Sequence, residues 1–270
     1  MSFTGIVCEY NPFHRGHKKQ LDLIRADDPA GGIVCLMSGN FVQRGKPAIL
    51  DKLLRAEAAV RAGADLVLEL PVTAALSSAE GFASEGVRIL SPFCDRLCFG
   101  AESGDEAALA SVAQALLSPV FRDHLMSQLE LGLSFPAARQ NALETMGVSS
   151  DLLRQPNDIL ATEYCKAILA QGSTMKPMVI RRQGSYHDVL PDKENPSATA
   201  VRSQMLSGSN WQAYVPEEVR PCLEGASLHT MEAGERAILA KLRTMSDAEF
   251  DRFAKQALDA AYSGKKVRFR

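Results

Sequence analysis

Residues 5–24 read Gly5-Ile6-Val7-Cys8-Glu9-Tyr10-Asn11-Pro12-Phe13-His14-Arg15-Gly16-His17-Lys18-Lys19-Gln20-Leu21-Asp22-Leu23-Ile24. The first four residues predict a short buried strand, and the apolar spacing after His17 predicts an amphipathic helix. His14 and His17 therefore lie at a strand-to-helix junction, where a helix N-terminus offers unpaired N–H donors and a partial positive charge. Gly16 allows close approach to the backbone, and the i, i+3 spacing places both imidazoles on one face. The stretch predicts a site for a nucleotide triphosphate.

Zinc is the main alternative ligand for two closely spaced histidines. A protein zinc site needs three or four ligands at recognisable spacing, and no such set accompanies His14 and His17. Cys94 and Cys98 look like inward positions of another buried strand. We therefore predict no metal site built from protein ligands.

Strand-like and helical segments alternate in the N-terminal part of the chain. The predicted strands are Gly5–Cys8, Gly32–Met37, Asp65–Leu70 and Arg96–Phe99, and the predicted helices are His17–Arg25, Pro47–Ala62 and Glu80–Leu90. This βαβα order predicts an α/β fold with a Rossmann-like, mostly parallel sheet and helices on both faces. Pro47 near the first turn and Gly63 after the last one fit the usual helix boundaries.

The rest of the chain is richer in helical patterns. The sequence is helical in character from Asp105 to about Ala170, and a strand is predicted over Pro177–Arg182. Helices are predicted again after Trp211, most clearly over Glu232–Arg243 and Asp247–Tyr262. We predict a nucleotide-binding catalytic domain over residues 1–205 and a helical C-terminal region over residues 206–270.

Composition excludes several classes of protein. With 46% hydrophobic and 23% charged residues, the 270-residue chain has ample material for a globular core. Its apolar stretches are too short to span a bilayer and no secretory leader is evident, so we expect a cytoplasmic location. Six cysteines scattered through apolar runs indicate buried reduced thiols. A net charge of −2 means that any nucleic-acid contact needs a local basic patch, for which the tail Lys265–Arg270 is a candidate.

The motif His14-Arg15-Gly16-His17 resembles the HxGH signature of the nucleotidyltransferase superfamily. A second signature of that superfamily, at the N-terminus of a late helix, resembles Ser197-Ala198-Thr199-Ala200-Val201-Arg202. Its small hydroxyl residues suit helix capping and contact with phosphate. The resemblance implies a fold of the HUP, or nucleotidyltransferase, type.

Further stretches resemble one family, the bacterial tRNA(Met) cytidine acetate ligases, over about the first 205 residues. They are Glu9–His17, Met37–Gly45, Asp65–Pro71, Phe99–Asp105, Pro156–Leu160 and Tyr186–Asp188. The resemblance implies that ATP activates acetate to acetyl-adenylate, and that the acetyl group then passes to N4 of the wobble cytidine of elongator methionine tRNA. Magnesium is expected to accompany ATP.

The resemblance also implies which residues bind ATP. They are Val7, Cys8, Glu9, Tyr10, Asn11, Pro12, Phe13, His14, Arg15, Gly16, His17, Lys18, Lys19, Gln20, Gly100, Asn157 and Arg182, with Arg181 beside it. His14 and His17 are the candidate catalytic residues, because imidazole donors can stabilise the charge that grows on the phosphate oxygens.

For the residues outside the motif, local chemistry also suggests a role, with an alternative in each case. Gly100 follows the fourth predicted strand, at the sheet edge where open α/β folds bind ligands, although a simple turn glycine is the alternative. Asn157 precedes an apolar helix and is equally well placed as an N-cap. Arg181 and Arg182 end a strand, where guanidinium groups can pair with phosphate or simply face solvent.

The segment Ser38–Lys46 follows the second predicted strand and should border the same crevice. It combines flexible glycines with polar donors, and Arg44 and Lys46 could meet a triphosphate or an RNA backbone. A mobile surface loop is the alternative, but Phe41 and Val42 indicate that part of the segment packs against the protein.

Two other functions fit the same motif. The first is a small-molecule nucleotidyltransferase that transfers an adenylyl or cytidylyl group to a metabolite. The second is a nucleotide- or RNA-binding protein without catalysis, which would not need both histidines.

Overall fold

The computed structural model describes residues 1–182 and 196–253, and these residues form a five-stranded, fully parallel sheet. The strands are β1 (Phe3–Cys8), β2 (Gly32–Ser38), β3 (Leu66–Leu70), β4 (Arg96–Ala101) and β5 (Lys176–Arg181). Their order across the sheet is β3-β2-β1-β4-β5. β1 is therefore central, and Ile6 lies opposite Cys35 of β2 while Gly5 lies opposite Leu97 of β4.

Helices connect and follow the strands. They are α1 (Arg15–Asp27), α2 (Lys52–Arg61), α3 (Val72–Ala75), α4 (Ala79–Leu90), α5 (Glu106–Leu117), α6 (Pro119–Glu130), α7 (Phe135–Thr145), α8 (Pro156–Ala170), α9 (Ala198–Leu206), α10 (Arg220–Leu223) and α11 (Met231–Thr244). Short 3₁₀ turns occupy Asp151–Arg154, Trp211–Tyr214 and Glu217–Val219, and residues 247–253 are helical.

Side-chain alternation along the strands builds a core on each face of the sheet. Ile6 and Cys8 of β1 pack with α1, α2 and α9 on one face. Leu97 and Phe99 of β4 pack with α4 and α8 on the other. The predicted parallel sheet with helices on both faces is confirmed.

The boundaries of two predicted helices were wrong. The first begins at Arg15, not His17, because His14 already caps it. The second begins at Lys52, not Pro47, because the Asp51 side chain accepts a hydrogen bond from Leu53 N (2.7 Å), while Pro47 pairs with Phe41 in an isolated bridge. It ends at Arg61, one residue before the predicted Ala62, which is the C-cap residue, and Gly63 follows with φ +112°.

The chain divides into two compact units, Met1–His229 and the part from Thr230 onward. The sequence placed a boundary after residue 205, but the first unit continues to His229. The reason is that Val215, Val219 and Leu223 are buried in the same core cluster as β1. In the second unit, α11 matches the helix predicted over Glu232–Arg243. Most of the helix predicted over Asp247–Tyr262 lies outside the described residues, as does the basic tail Lys265–Arg270.

All six cysteines are buried free thiols, as predicted. Cys98 lies within β4, whereas Cys94 comes before that strand and packs beside Gly5. Within the described residues, no helix is long and apolar enough to cross a membrane.

Candidate functional site

The candidate site lies at the carboxyl edge of the sheet, around the ends of β1, β4 and β5. The chain runs from β1 to β2 and β3 on one side of the sheet and then returns to β4 on the other. The strand order therefore reverses between β1 and β4, and open α/β sheets bind ligands at such a switch point. The motif containing His14 and His17 follows β1 directly at this position.

His14 and His17 are held as a stacked pair at the start of α1. His14 is the N-cap residue, and its Nδ1 accepts a hydrogen bond from Gly16 N (3.1 Å). His17 Nδ1 accepts one from His14 N (3.3 Å), and the two ring centroids are 3.7 Å apart. A neutral imidazole carries one proton, so an accepting Nδ1 leaves that proton on Nε2. The pair can therefore present two Nε2–H donors.

Burial keeps both rings neutral. Burial, together with the positive charges of Arg182 and Arg202, lowers the pKa of His14 to about 3. Burial, His14 and Arg182 hold the pKa of His17 well below its ordinary value. At neutral pH the histidines are therefore hydrogen-bond donors without charge, and the nearby arginines supply the positive charge that a triphosphate requires.

These lowered pKa values predict a pH-dependent stability. Each histidine binds a proton more weakly in the folded than in the unfolded state, so protonation of the unfolded chain destabilises the fold below the unfolded pKa of about 6.5. For His14 the effect should continue down to the folded pKa of about 3. We expect the free energy of unfolding to fall by up to about 1.4 kcal/mol per pH unit for each histidine.

Urea unfolding between about pH 7 and pH 5 measures this slope. A His14→Asn variant, which keeps an acceptor at the N-cap but does not titrate there, should show a shallower slope than the parent. Equal slopes in the two proteins would contradict the assignment of a neutral, buried His14.

Aromatic side chains pack against the histidine pair. The Tyr10 and Phe13 rings lie 4.8 Å and 5.5 Å from the His17 ring, and both residues are almost fully buried. Asn11 Oδ1 accepts a hydrogen bond from Ile49 N (2.7 Å), which ties the motif to the segment before α2. Tyr10 has φ +43°, an unfavourable backbone conformation that this packing holds in place.

Gly100, Asn157 and Arg182 form the opposite side of the site. Arg182 Nη1 donates to Asn157 Oδ1 (3.2 Å). A Cβ at Gly100 would lie 3.1 Å from Arg182 Cγ, so a glycine is what lets the arginine side chain lie across β4. The structure thus brings together three residues that are far apart in the sequence, and the positive charge of Arg182 acts on both histidines.

The late helix α9 joins the same site. Ser197 caps α9 by accepting a hydrogen bond from Ala200 N (3.2 Å). Arg202 donates to Asn11 O (2.6 Å) and to Thr199 Oγ1 (2.9 Å), and so connects the second signature to the first. A Cβ at Gly16 would lie 3.9 Å from Pro196 O, which places the start of α9 next to the histidine motif.

Some residues predicted to bind ATP are placed differently from what the sequence indicated. Arg181 ends β5 and packs against Gly104, whereas Arg182, the next residue, packs against Gly100. The Val7 side chain packs against Gly86 of α4. Asn157 is not an N-cap, because Gln155 holds that position in α8.

The remaining members of the motif lie along α1 or in the loop before it. Lys18 pairs with Asp22, Gln20 Nε2 lies 3.5 Å from Cys98 Sγ, and Lys19 is exposed. Pro12 and Arg15 flank the buried Phe13 and His14, and Cys8 ends β1. These residues surround the site, and their contact with a ligand stays a prediction.

The segment Ser38–Lys46 borders the crevice as expected. Gln43 N donates to Glu9 Oε1 (2.8 Å), and Val42 is buried, so the segment is packed against the end of β1. Arg44 and Lys46 are exposed. The Tyr186–Asp188 stretch, by contrast, lies outside the residues that the structure describes.

Two supporting residues were missed in the sequence. Glu102 accepts hydrogen bonds from the start of α8, and Arg55 is a fully buried arginine beneath the ends of β1 and β2. The spacing of Arg55, Ala58 and Ala59 on one helical face was the available signal for Arg55. Glu102 lies in the stretch Phe99–Asp105 that resembles the family, but its local pattern does not indicate its partners on α8.

Within residues 1–182 and 196–253, no group of three or more His, Cys, Asp or Glu side chains is arranged to hold a metal ion. The carboxylates of Glu102 and Asp158, at the edge of the site, are already hydrogen-bonded to the protein.

Comparison with known proteins gives consistent results. A family model described as HIGH Nucleotidyl Transferase matches residues 1–261. The tRNA(Met) cytidine acetate ligase of Clostridium novyi (strain NT) is 42% identical over 219 residues, covering 78% of this chain and 55% of the relative. The enzyme of the same name from Halothermothrix orenii is 37% identical over 269 residues, covering 91% and 64%. The resemblance noted in the sequence is thereby confirmed.

Solved structures match as well. The crystal structure of apo Thermotoga maritima TmcAL superimposes with a TM-score of 0.83 at 34% identity, covering 91% of this chain and 63% of that one. A second crystal form of TmcAL, bound with alpha-thio ATP, gives a TM-score of 0.73 at 36% identity, covering 83% and 55%. The chain thus spans somewhat over half of the length of the relatives it matches.

Proposed function

The chain belongs to the HIGH nucleotidyl transferase family, and we propose that it is an ATP-dependent ligase that acetylates tRNA(Met) through acetyl-adenylate. The observation that carries the proposal is the stacked, neutral His14–His17 pair at the N-terminus of α1, with Arg182 beside it. Two N–H donors, a helix N-terminus and a guanidinium group together fit a triphosphate. The binding of an ATP analogue by TmcAL supports ATP as the nucleotide.

In the first step, a carboxylate oxygen of acetate forms a bond to the α-phosphorus of ATP. The bond from that phosphorus to the β-phosphate oxygen breaks, and pyrophosphate leaves with the electron pair. The Nε2–H groups of His14 and His17 donate to the phosphate oxygens on which negative charge grows, and Arg182 neutralises it. The residues act by position and charge, and none of them forms a bond to the substrate.

We expect Mg²⁺ to enter with ATP. Because the nearby carboxylates of Glu102 and Asp158 are occupied by backbone and side-chain donors, the ion would be held by phosphate oxygens and water. Bound there, it would neutralise phosphate charge.

In the second step, the N4 amine of cytidine attacks the acetyl carbon, AMP leaves, and the nitrogen loses a proton. Elongator tRNA(Met) is the proposed acceptor because the relatives carry tRNA(Met) in their names. We assign tRNA contact to residues 206–270, which include the basic tail, and to Arg44 and Lys46 beside the site. The reaction would take place in the cytoplasm, where buried free thiols such as those of this chain persist.

An assay with ATP, labelled acetate and bulk tRNA tests both steps. We expect pyrophosphate release that depends on acetate, and label that appears in tRNA. Release that depends on a different small acceptor would instead identify a small-molecule nucleotidyltransferase. Absence of release with any acceptor would leave a nucleotide-binding protein and contradict the proposal. Acetate-dependent release without labelled tRNA would retain the first step and overturn the second.

A further inference from the structure

Glu102, directly after β4, binds the N-terminus of α8 through its carboxylate. Its Oε1 accepts hydrogen bonds from Asn157 Nδ2 (2.6 Å) and Asn157 N (3.2 Å), and its Oε2 accepts one from Asp158 N (2.7 Å). In return, Asp158 accepts hydrogen bonds from the backbone N (3.1 Å) and hydroxyl (2.9 Å) of Ser103. The loop after β4 and the start of α8 therefore each donate hydrogen bonds to the other.

These contacts fix the orientation of the Asn157 side chain. A primary amide has one acceptor end and one donor end, and the two can be exchanged by a half-turn. Because the Glu102 carboxylate can only accept, Asn157 must turn Nδ2 toward it and Oδ1 away. Oδ1 is the atom that receives the hydrogen bond from Arg182 Nη1 (3.2 Å).

Arg182, the last residue in this chain of hydrogen bonds, acts on the histidines through its charge. It lies across Gly100, and its positive charge lowers the pKa of both His14 and His17. Arg182 is an exposed residue, and a long exposed side chain loses considerable rotamer freedom when it is ordered. Asn157 provides the contact that selects one position, and Glu102 holds Asn157.

We propose that Glu102 is a positioning residue, which orders Asn157 and through it Arg182 for nucleotide binding. The inference rests on the proposed ATP site. Glu102 does not itself meet the nucleotide, because its carboxylate is engaged with the first turn of α8. It also occupies the N–H groups of that turn, so phosphate is directed to the start of α1 instead.

A double-mutant cycle in ATP binding tests this role. Glu102→Gln keeps the size of the side chain but replaces one carboxylate oxygen with an NH₂ donor, so a donor from α8 loses its acceptor. We expect about a 10-fold weaker ATP affinity, the loss typical of a hydrogen bond to a charged group. In an Asn157→Ala background the same change should weaken ATP affinity by less than about 2-fold, because the Asn157 side chain through which Glu102 acts is already absent.

Titration calorimetry with ATP alone measures the four affinities, and the melting temperature of each variant shows that it is folded. Glu85→Gln is the matched control, since Glu85 pairs with the exposed Arg88 on α4 and should bind ATP like the parent. Glu102→Asp supplies a second probe, because it keeps the charge but is too short to reach both donors. It should show the same coupling to Asn157.

Equal losses of affinity in the parent and Asn157→Ala backgrounds would overturn the inference, since they would mean a general structural effect. Unchanged ATP affinity in Glu102→Gln would overturn it as well. Failure of the parent chain to bind ATP would be a separate result, because it would reject the proposed nucleotide site and the inference with it. Binding of ATP without pyrophosphate release would reject the proposed reaction but leave the role of Glu102 standing.

Discussion

His14→Asn and His17→Ala are each expected to slow acetate-dependent pyrophosphate release by about 10²- to 10³-fold, the cost of removing one preorganised donor to a developing oxyanion. The expectation follows from the tautomer that the structure imposes on each ring. Both Nδ1 atoms accept backbone hydrogen bonds, so only Nε2–H is left to act on phosphate. Neither asparagine nor alanine can place a donor at that position.

The choice of variants separates catalysis from folding. At position 14 asparagine is preferable to alanine, because it is a good N-cap and can still accept the hydrogen bond from Gly16 N. His124→Ala, on α6, is the matched control and should release pyrophosphate like the parent. Circular dichroism and urea unfolding check that each variant is folded. Turnover in either site variant that equals the parent would remove the histidines from the mechanism.

Much of the fold could be predicted because its signals are local. The apolar runs of β1, β2 and β4, separated by helical patterns, dictate a parallel sheet with covered faces. The position of His14 and His17 followed from the same pattern, since a motif after the central strand must lie at the carboxyl edge. The placement of Gly100 at that edge followed likewise.

The parts that failed depend on contacts that sequence spacing does not encode. Alternation along a strand separates Arg181 from Arg182, but the register that decides which one faces the histidines comes from pairing with β4. The start of α2 was misplaced because Asp51 outcompetes Pro47 as the first helix signal. Glu102 and Arg55 act through partners far away in the chain, and nothing in their own neighbourhood identifies those partners.

Arg55 is the site where the largest effect on stability is expected. It is 1% exposed and donates to main-chain carbonyls of three separate segments. These acceptors are Leu50 O (3.3 Å), Ser38 O (3.0 Å), Glu9 O and Gly39 O. The guanidinium thus ties the ends of β1 and β2 to the segment before α2. Only a planar group with several divergent donors can satisfy carbonyls in that arrangement.

Arg55→Met should therefore lower the free energy of unfolding by about 3–5 kcal/mol, because it keeps most of the volume but leaves several buried carbonyls without a donor. Arg55→Lys should recover only part of the loss, since one ammonium cannot reach all of these carbonyls. Arg61→Met is the matched control on the same helix. Arg61 makes an exposed ion pair with Glu57, so its loss should leave the free energy of unfolding close to that of the parent.

Urea unfolding of the three variants gives these differences directly. If Arg55→Met and Arg61→Met lower the free energy of unfolding equally, water must replace the guanidinium beneath the strand ends. If instead Arg55→Met is strongly destabilised, the carboxyl ends of β1 and β2 depend on this one side chain for the spacing between them. Glu9 starts the loop that carries His14, so the geometry of the N–H groups proposed to bind phosphate is then set by α2 as well as by the motif itself.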